Sequence, residues 1–174
     1  MDNISLGVLH FGDNFDNAQE IVNYAICIEK LGFNEFWLGE HHGFGQYWVN
    51  PEPIFPILLA YTEKIKIGSA GILIKYHSPY RVANYYQTLA SVFPDRVTIG
   101  YASGGIGDSQ IESMLKIPKG VFLERISETN YFFTESKLFE KKIPVLPWHG
   151  SKPEQWILTN NTLPDEKLEL TKKG

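Results

Sequence analysis

Phe36-Trp37-Leu38-Gly39-Glu40-His41-His42 is a short apolar run that ends abruptly in a cluster of chemistry-bearing side chains. Asn34 leads into it, and so brief an apolar stretch reads as a buried strand. The pattern recurs three times. Ile65-Lys66-Ile67-Gly68 runs into Ser69-Ala70-Gly71, Val97-Thr98-Ile99-Gly100 leads to Ala102-Ser103-Gly104-Gly105, and Trp156-Ile157-Leu158 leads to Thr159-Asn160-Asn161. Helical patterns fill the gaps. In an alternating strand–helix chain, the carboxyl ends of successive parallel strands converge on one rim, where barrel enzymes of this architecture carry their chemistry. Four polar clusters at four strand ends therefore predict a site.

Working outward, Ile4 to His10 reads as a first strand, and Asp16 to Leu31 as a helix with Ile21, Ala25 and Ile28 at helical spacing and Gly32 just past its end. A long aromatic loop from His42 to Pro53 precedes a helix through Ile57, Leu58 and Tyr61, and the third strand covers Ile65 to Leu73. Pro79 opens a helix that runs from Tyr80 to Phe93, and Pro94-Asp95 turns the chain into the fourth strand. A glycine-rich loop, a helix over Phe122 to Phe139, an irregular crossover over Ile143 to Pro153, a fifth strand and the start of a helix over Asp165 to Lys173 complete the order. The strands are mostly apolar runs rather than strict alternations, as a sheet covered on both faces requires. The expected fold is α/β, a partial (β/α)8 TIM-type barrel of about five βα units out of eight, with residues 1–174 forming a single truncated barrel domain.

A length of 174 residues with 43% hydrophobic and 21% charged side chains suits one globular domain and argues against disorder. The net charge of −4 and the lack of a basic tract argue against nucleic acid or an anionic membrane surface as the main partner. A single cysteine, Cys27, excludes an internal disulfide and a thiolate metal cluster, and its place in a helical run predicts a small core residue. Ile4 to Phe11 is apolar but short, lacks a basic flank and carries His10, which fits a strand better than a secretion signal. No run is long enough to span a bilayer, so a cytoplasmic, soluble protein is expected.

Adjacent residues on an extended segment point to opposite sides, so only one of His41 and His42 can face the barrel mouth. The pair is a poor chelate, and no metal is expected. A single histidine at a strand end suits proton transfer or the orienting of a polar intermediate; a capping or packing histidine is the alternative. Ser69-Ala70-Gly71 offers almost no side chain, which lets a flat ligand lie against the backbone or a barrel layer pack tightly. Ala102-Ser103-Gly104-Gly105-Ile106-Gly107-Asp108 has bare amides and a hydroxyl before a turn, fitting an anion nest or a plain flexible turn. Its glycine spacing and position are not those of the dinucleotide fingerprint. Thr159-Asn160-Asn161 could supply further donors to the same anion. Phe44, Tyr47 and Trp48 could wall a pocket or fill a subunit interface, and His77 and His149 read as surface histidines.

Taken together, the chain resembles the bacterial luciferase-like flavin monooxygenases, which are (β/α)8 barrels. The resemblance rests on Phe36-Trp37-Leu38-Gly39-Glu40-His41-His42, on Gly68-Ser69-Ala70-Gly71-Ile72-Leu73-Ile74 with His77-Ser78-Pro79-Tyr80-Arg81-Val82-Ala83, and on Pro94-Asp95-Arg96-Val97-Thr98-Ile99-Gly100. Ala102-Ser103-Gly104 and Pro153-Glu154-Gln155-Trp156-Ile157-Leu158-Thr159 look most like the branch found in natural-product biosynthesis. Other branches tend to have, where Ser103 stands, an Arg that pairs with the flavin phosphate, and three departures from the family stand out: Gly43 replaces an aromatic usual in that branch, Gly105 stands where it has Trp, and the expected barrel stops inside its fifth helix at Gly174.

The resemblance implies that His41 is the active-site histidine near the reactive edge of the flavin, with Glu40 beside it and orienting it. It implies that Ala70-Gly71 is held as a non-proline cis peptide beneath the flavin ring, and that Ser103, Gly104, Thr159 and Asn160 contribute to the phosphate site. Reduced FMN, supplied by a separate flavin reductase, would react with oxygen in a dry, walled pocket and oxygenate a small-molecule or carrier-tethered substrate. The barrel expected here lacks strands six to eight, which leaves strands one and five unpaired and predicts a homodimer or a complementing chain. Three alternatives stay open: a non-catalytic flavin-binding or interaction half-barrel, an inactive fragment of a longer gene, and a barrel that uses a deazaflavin for hydride transfer.

Overall fold

Asn17 begins the first helix by accepting the amides of Gln19 and Glu20 at 3.0 and 3.3 Å, which satisfies two donors that have no partner within the helix. In the computed structural model, which describes residues 4–12, 17–42, 48–115, 121–134 and 152–158, that helix is α1 (Ala18–Lys30). It follows β1 (Gly7–His10) and precedes β2 (Glu35–Leu38). The order continues with α2 (Phe55–Tyr61), β3 (Lys66–Ile72), α3 (Pro79–Val92), β4 (Val97–Ala102), α4 (Ser109–Leu115), α5 (Phe122–Thr134) and β5 (Glu154–Leu158). Short 3-10 turns, Glu52–Ile54 and Ile74–Tyr76, lead into α2 and α3.

All four strand pairings are parallel and the sheet order is β1-β2-β3-β4-β5, so each helix returns the chain to the next position along the sheet. This is the α/β architecture of a partial barrel. The helix-covered side holds the main core: Phe36 and Leu38 from β2, Ile67 from β3 and Ile99 from β4 are fully buried, together with Ile21 of α1 and Tyr86 of α3.

The opposite side of the sheet is concave. Neighbouring strands lie about 4.8 Å apart, so β2 and β5 are separated by about 14 Å along the sheet. Yet the rings of Trp37 on β2 and Trp156 on β5 meet with centroids 5.4 Å apart. Lys66 of β3 likewise reaches across to Glu154 of β5 at 2.5 Å. Only a sheet curled toward these side chains brings them together. Gly100 makes room for the curl, because a Cβ there would come within 2.6 Å of the Trp156 ring.

Several local expectations need correction. Cys27 is exposed rather than a core residue: α1 buries Ile21, Val22, Ala25 and Ile28, and a residue two positions after Ala25 lies on the opposite side of the helix. The glycine-rich loop after β4 contains a further helix, α4, whose amides at Gln110 and Ile111 are capped by the Asp108 carboxylate at 2.8 and 3.2 Å. The first strand is shorter than Ile4 to His10, although Leu6 still pairs with Asn34 through its amide and its carbonyl. Most of the expected crossover over residues 143–153, the helix over 165–173 and the last residues of the helix over 122–139 lie outside the described residues.

Candidate active site

The carboxyl ends of the strands gather the clusters singled out in the sequence. Glu40 and His41 follow β2, Ala70 and Gly71 lie near the end of β3, and Ser103 and Gly104 follow β4. Thr159 and Asn160, with Asn161, lie outside the described residues, as do Phe44, Tyr47 and His149.

Glu40 is the most heavily engaged side chain of the rim. It is buried, and one carboxylate oxygen, Oε1, accepts from His42 Nε2 at 2.8 Å. The other, Oε2, accepts from His77 Nε2 at 2.8 Å and from the Leu73 amide at 2.8 Å. Burial alone would push the carboxyl up, but the His77 bond and charge, the His42 bond and the Leu73 amide outweigh it and hold Glu40 below its ordinary value. Burial pulls His77 down, while the Glu40 bond and charge, with a smaller contribution from Glu52, carry it above its ordinary value. Glu52 lies in the same electrostatic environment. Desolvation raises its carboxyl, and its Oε2 is buried with no hydrogen-bond partner.

Glu40 therefore does not orient His41 directly, as the sequence reading expected. Among the described residues, its bonds go to His42, His77 and Leu73. The reason is the alternation of an extended segment: Glu40 and His42, two residues apart, share one side, and His41 takes the other. His42 is buried and His41 exposed. The His41 amide donates to the Trp48 carbonyl at 2.9 Å, and its ring meets Phe11, at the end of β1, edge-on with centroids 6.2 Å apart. Trp48 packs against the main core.

His77 is likewise not a surface histidine: its side chain is 27% exposed and tied to Glu40. Sequence reasoning missed both partners. The two-residue periodicity could have found His42, but His77 lies 37 residues from Glu40 and carries no local signal.

The peptide bond between Ala70 and Gly71 is cis, and the β3–β4 register shifts between Ser69 and Ile72. A Cβ on Gly71 would come within 2.7 Å of the Gly100 carbonyl, so only glycine fits against β4 there. Ser69 ties the same two strands on the helix side, donating to the Gly100 carbonyl at 3.1 Å and accepting from its amide at 3.0 Å. Beyond β4, Ser103, Gly104 and Gly105 are exposed, and a Cβ on Gly104 would lie 3.2 Å from the Leu73 side chain. Leu73, Tyr76, Ala102 and Ile106 form a small second core beneath this loop.

Comparison with known proteins decides the family. The family model for luciferase-like monooxygenases matches residues 5–130. The chain belongs to the luciferase-like monooxygenases. A luciferase-like monooxygenase of Escherichia coli K12 is 33% identical over 153 residues, covering 82% of this chain and 45% of the relative. An N-acetyl-S-alkylcysteine monooxygenase of Bacillus subtilis is 30% identical over 122 residues, covering 67% of this chain and 36% of the relative. The chain thus spans less than half the length of these luciferase-like relatives.

Among solved structures, apo-MsnO8 matches with a TM-score of 0.80 at 21% identity, covering 98% of this chain and 52% of that one. The oxygenating constituent of 3,6-diketocamphane monooxygenase from Pseudomonas putida, in complex with FMN, matches with a TM-score of 0.65 at 17% identity, covering 89% and 52%. An F420-dependent secondary alcohol dehydrogenase matches with a TM-score of 0.62 at 16% identity, covering 88% and 51%. At these identities the solved structures support the luciferase-like fold alone. No helix among the described residues is long and apolar enough to cross a membrane.

Proposed function

We propose that this chain carries the flavin side of a monooxygenase, using reduced FMN and oxygen to oxygenate an organic substrate. The observation that carries the reading is the rim itself. An exposed histidine, a pair of residues with minimal side chains and a bare-amide loop follow three adjacent strands. A flat ring system with a phosphate tail is the ligand proposed for this rim: the buried Ala70-Gly71 pair places no large side chain at the end of β3, and the amides around Ser103 and Gly104, with the Ser103 hydroxyl, suit an anion. The helix end of α4 does not contribute, because Asp108 already occupies its amides. Thr159 and Asn160 complete the proposed phosphate set. FMN, delivered reduced by a separate reductase, supplies the oxygen-activating chemistry.

The chain's own residues bind the ring, exclude water from it and move a proton at the His41 imidazole. His41 takes that role because its side chain is exposed at the rim while His42 is buried against Glu40. The substrate is a small or carrier-tethered organic molecule, and the protein works in the cytoplasm. A second copy or a complementing chain is the proposed structural partner, because β1 and β5 are the edges of the described sheet.

Anaerobic titration with reduced and oxidised FMN, with the mass of the protein measured in the same buffer, tests the reading. Saturable binding by a defined species is expected; absence of binding to either form overturns it. His41→Ala should slow oxygenation far more than it weakens FMN binding, and equal loss of both would remove His41 from the proposed role. The likeness to an F420-dependent dehydrogenase favours one competing reading, hydride transfer with a deazaflavin. Preferential binding and reduction of F420 in the same titration would establish it instead.

A further inference from the structure

Glu40 ties together three pieces of chain that are distant in sequence. Through His42 it holds its own segment after β2, through the Leu73 amide it holds the end of β3, and through His77 it holds the entry to α3. Both imidazoles present Nε2 to the carboxylate, so each donates an N–H and uses up an acceptor position. His41 sits between two anchored residues, and its own amide is bonded to the Trp48 carbonyl. With both neighbours fixed inward, the alternation of the segment leaves the His41 ring only the opposite side.

We propose that Glu40, His42 and His77 form a positioning unit that aims the His41 imidazole at the rim, with His77 as the charged partner that keeps the Glu40 carboxylate in place. This deepens the proposed function and rests on it for the role of His41. None of the three needs to touch the reacting atoms.

Among the described residues, the groups facing the unit come from three segments. His42 comes from the same segment, His77 from the approach to α3 and Glu52 from the turn before α2, while the Tyr85 hydroxyl of α3 donates to the Glu52 backbone carbonyl. Burial raises the Glu52 carboxyl whereas the histidine and amide partners lower that of Glu40, so Glu40 is the more acidic of the two. An imidazolium at His77 offsets the Glu40 carboxylate, and the His42 ring supplies a second N–H donor to it. A buried carboxylate stripped of one such partner would be under-solvated and free to rotate, which would release His42 and, through it, the His41 backbone.

The test is histidine-ring NMR of the full 174-residue chain between about pH 5 and pH 9, a range that brackets the ordinary histidine value. The chain has five histidines, which single substitutions assign. In the unsubstituted protein, His77 should remain protonated above its ordinary value of 6.5, and the His42 ring should show a proton fixed on Nε2. His77→Ala should shift the His41 ring signals away from their positions in the unsubstituted protein. His77→Gln keeps an N–H donor for Glu40 and should restore the His41 signals.

If His77→Ala fails to fold by circular dichroism, Glu40→Gln and the titration of the unsubstituted protein still decide the matter. A His77 that titrates at or below 6.5, or a His41 ring indifferent to both His77→Ala and Glu40→Gln, overturns the proposal. An equal displacement of His41 by the alanine and glutamine variants of His77 overturns it as well. Reduced FMN added to the same samples separates the two claims: failure to bind with the histidine couplings intact overturns the flavin reading, not the unit.

Discussion

Glu29 and Glu40 are both glutamates that stitch the sheet's surroundings together, one at each end of the strands, and they differ in what they hold. Glu29, near the end of α1, accepts the amides of Glu63, Lys64 and Ile65 at 2.7 to 3.1 Å just before β3 begins. Arg96, just before β4, completes that end by donating to the Leu59, Thr62 and Ile65 carbonyls and to the Thr62 hydroxyl. Nearly all those partners are backbone groups that cannot titrate. Glu40, at the other end, is held mainly by two histidine side chains, one of which, His77, is raised by its contact with the carboxylate. The amino ends of the strands are therefore tied mainly to backbone groups and the carboxyl ends to side chains, and the carboxyl ends are the side on which parallel barrels carry their sites.

The largest effect should come from breaking the amino end. Arg96→Met leaves several partly buried carbonyls without a donor and should cost about 3 kcal/mol in denaturant-melt stability. The histidine-ring spectra of the carboxyl rim should remain unchanged in that variant. Glu29→Gln keeps an acceptor but removes its charge, so a loss of about 1 kcal/mol is expected in the same melt.

A pH series sharpens the contrast. Glu29 and Glu40 both have lowered carboxyls, so their contributions are fully present above the ordinary value of 4.5 and fall away as acid protonates them in the folded state. For Glu29, burial works against that lowering and the three amides, with Arg96, outweigh it. His77 has the opposite sign: raised when folded, it contributes fully below 6.5, and that share is lost as the pH rises through its folded value. Glu52, raised by burial, has the same sign as His77 and loses its contribution as the pH rises above 4.5, so stability should decline toward alkaline pH, the His77 share being about 1 kcal/mol or less. His77→Gln should flatten that alkaline decline, whereas Glu29→Gln should leave it in place.

The smallest effect belongs to the concave side of the sheet. Lys66 and Glu154 are 36% and 57% exposed, so Lys66→Met should cost less than about 1 kcal/mol, and less still at high salt. A larger loss, unaffected by salt, would mean that the concavity is closed over the pair in solution.

Much of this division was legible in the residues. Apolar runs ending at Gly39, Gly68 and Gly100 marked the strands, and the polar clusters after them marked the rim, because strand length, capping and turn residues act locally. The helix α4 was missed although Ile111, Met114 and Leu115 fall at helical spacing, because it is only 7 residues long, follows a glycine-rich loop and leaves Ile111 and Leu115 only partly buried. Cys27 was misplaced because residue type was weighed above its angular position on α1. The partners of Glu40 went unread: a period of two carried the signal for His42, whereas His77 and Leu73 enter from 37 and 33 residues away.

By itself the sequence determined the alternation of strands and helices, the parallel order that short connections impose, and the strand ends at which chemistry-bearing residues fall. These follow from local periodicity and from the rule that each helix returns the chain to a neighbouring strand. Only the tertiary structure decided that Trp37 meets Trp156 across a curled sheet, that Glu40 grips His42 and His77 rather than His41, and that Asp108 takes the amides at the start of α4. Those outcomes depend on how far the sheet bends and which side chains compete for one carboxylate, quantities set by contacts between distant segments.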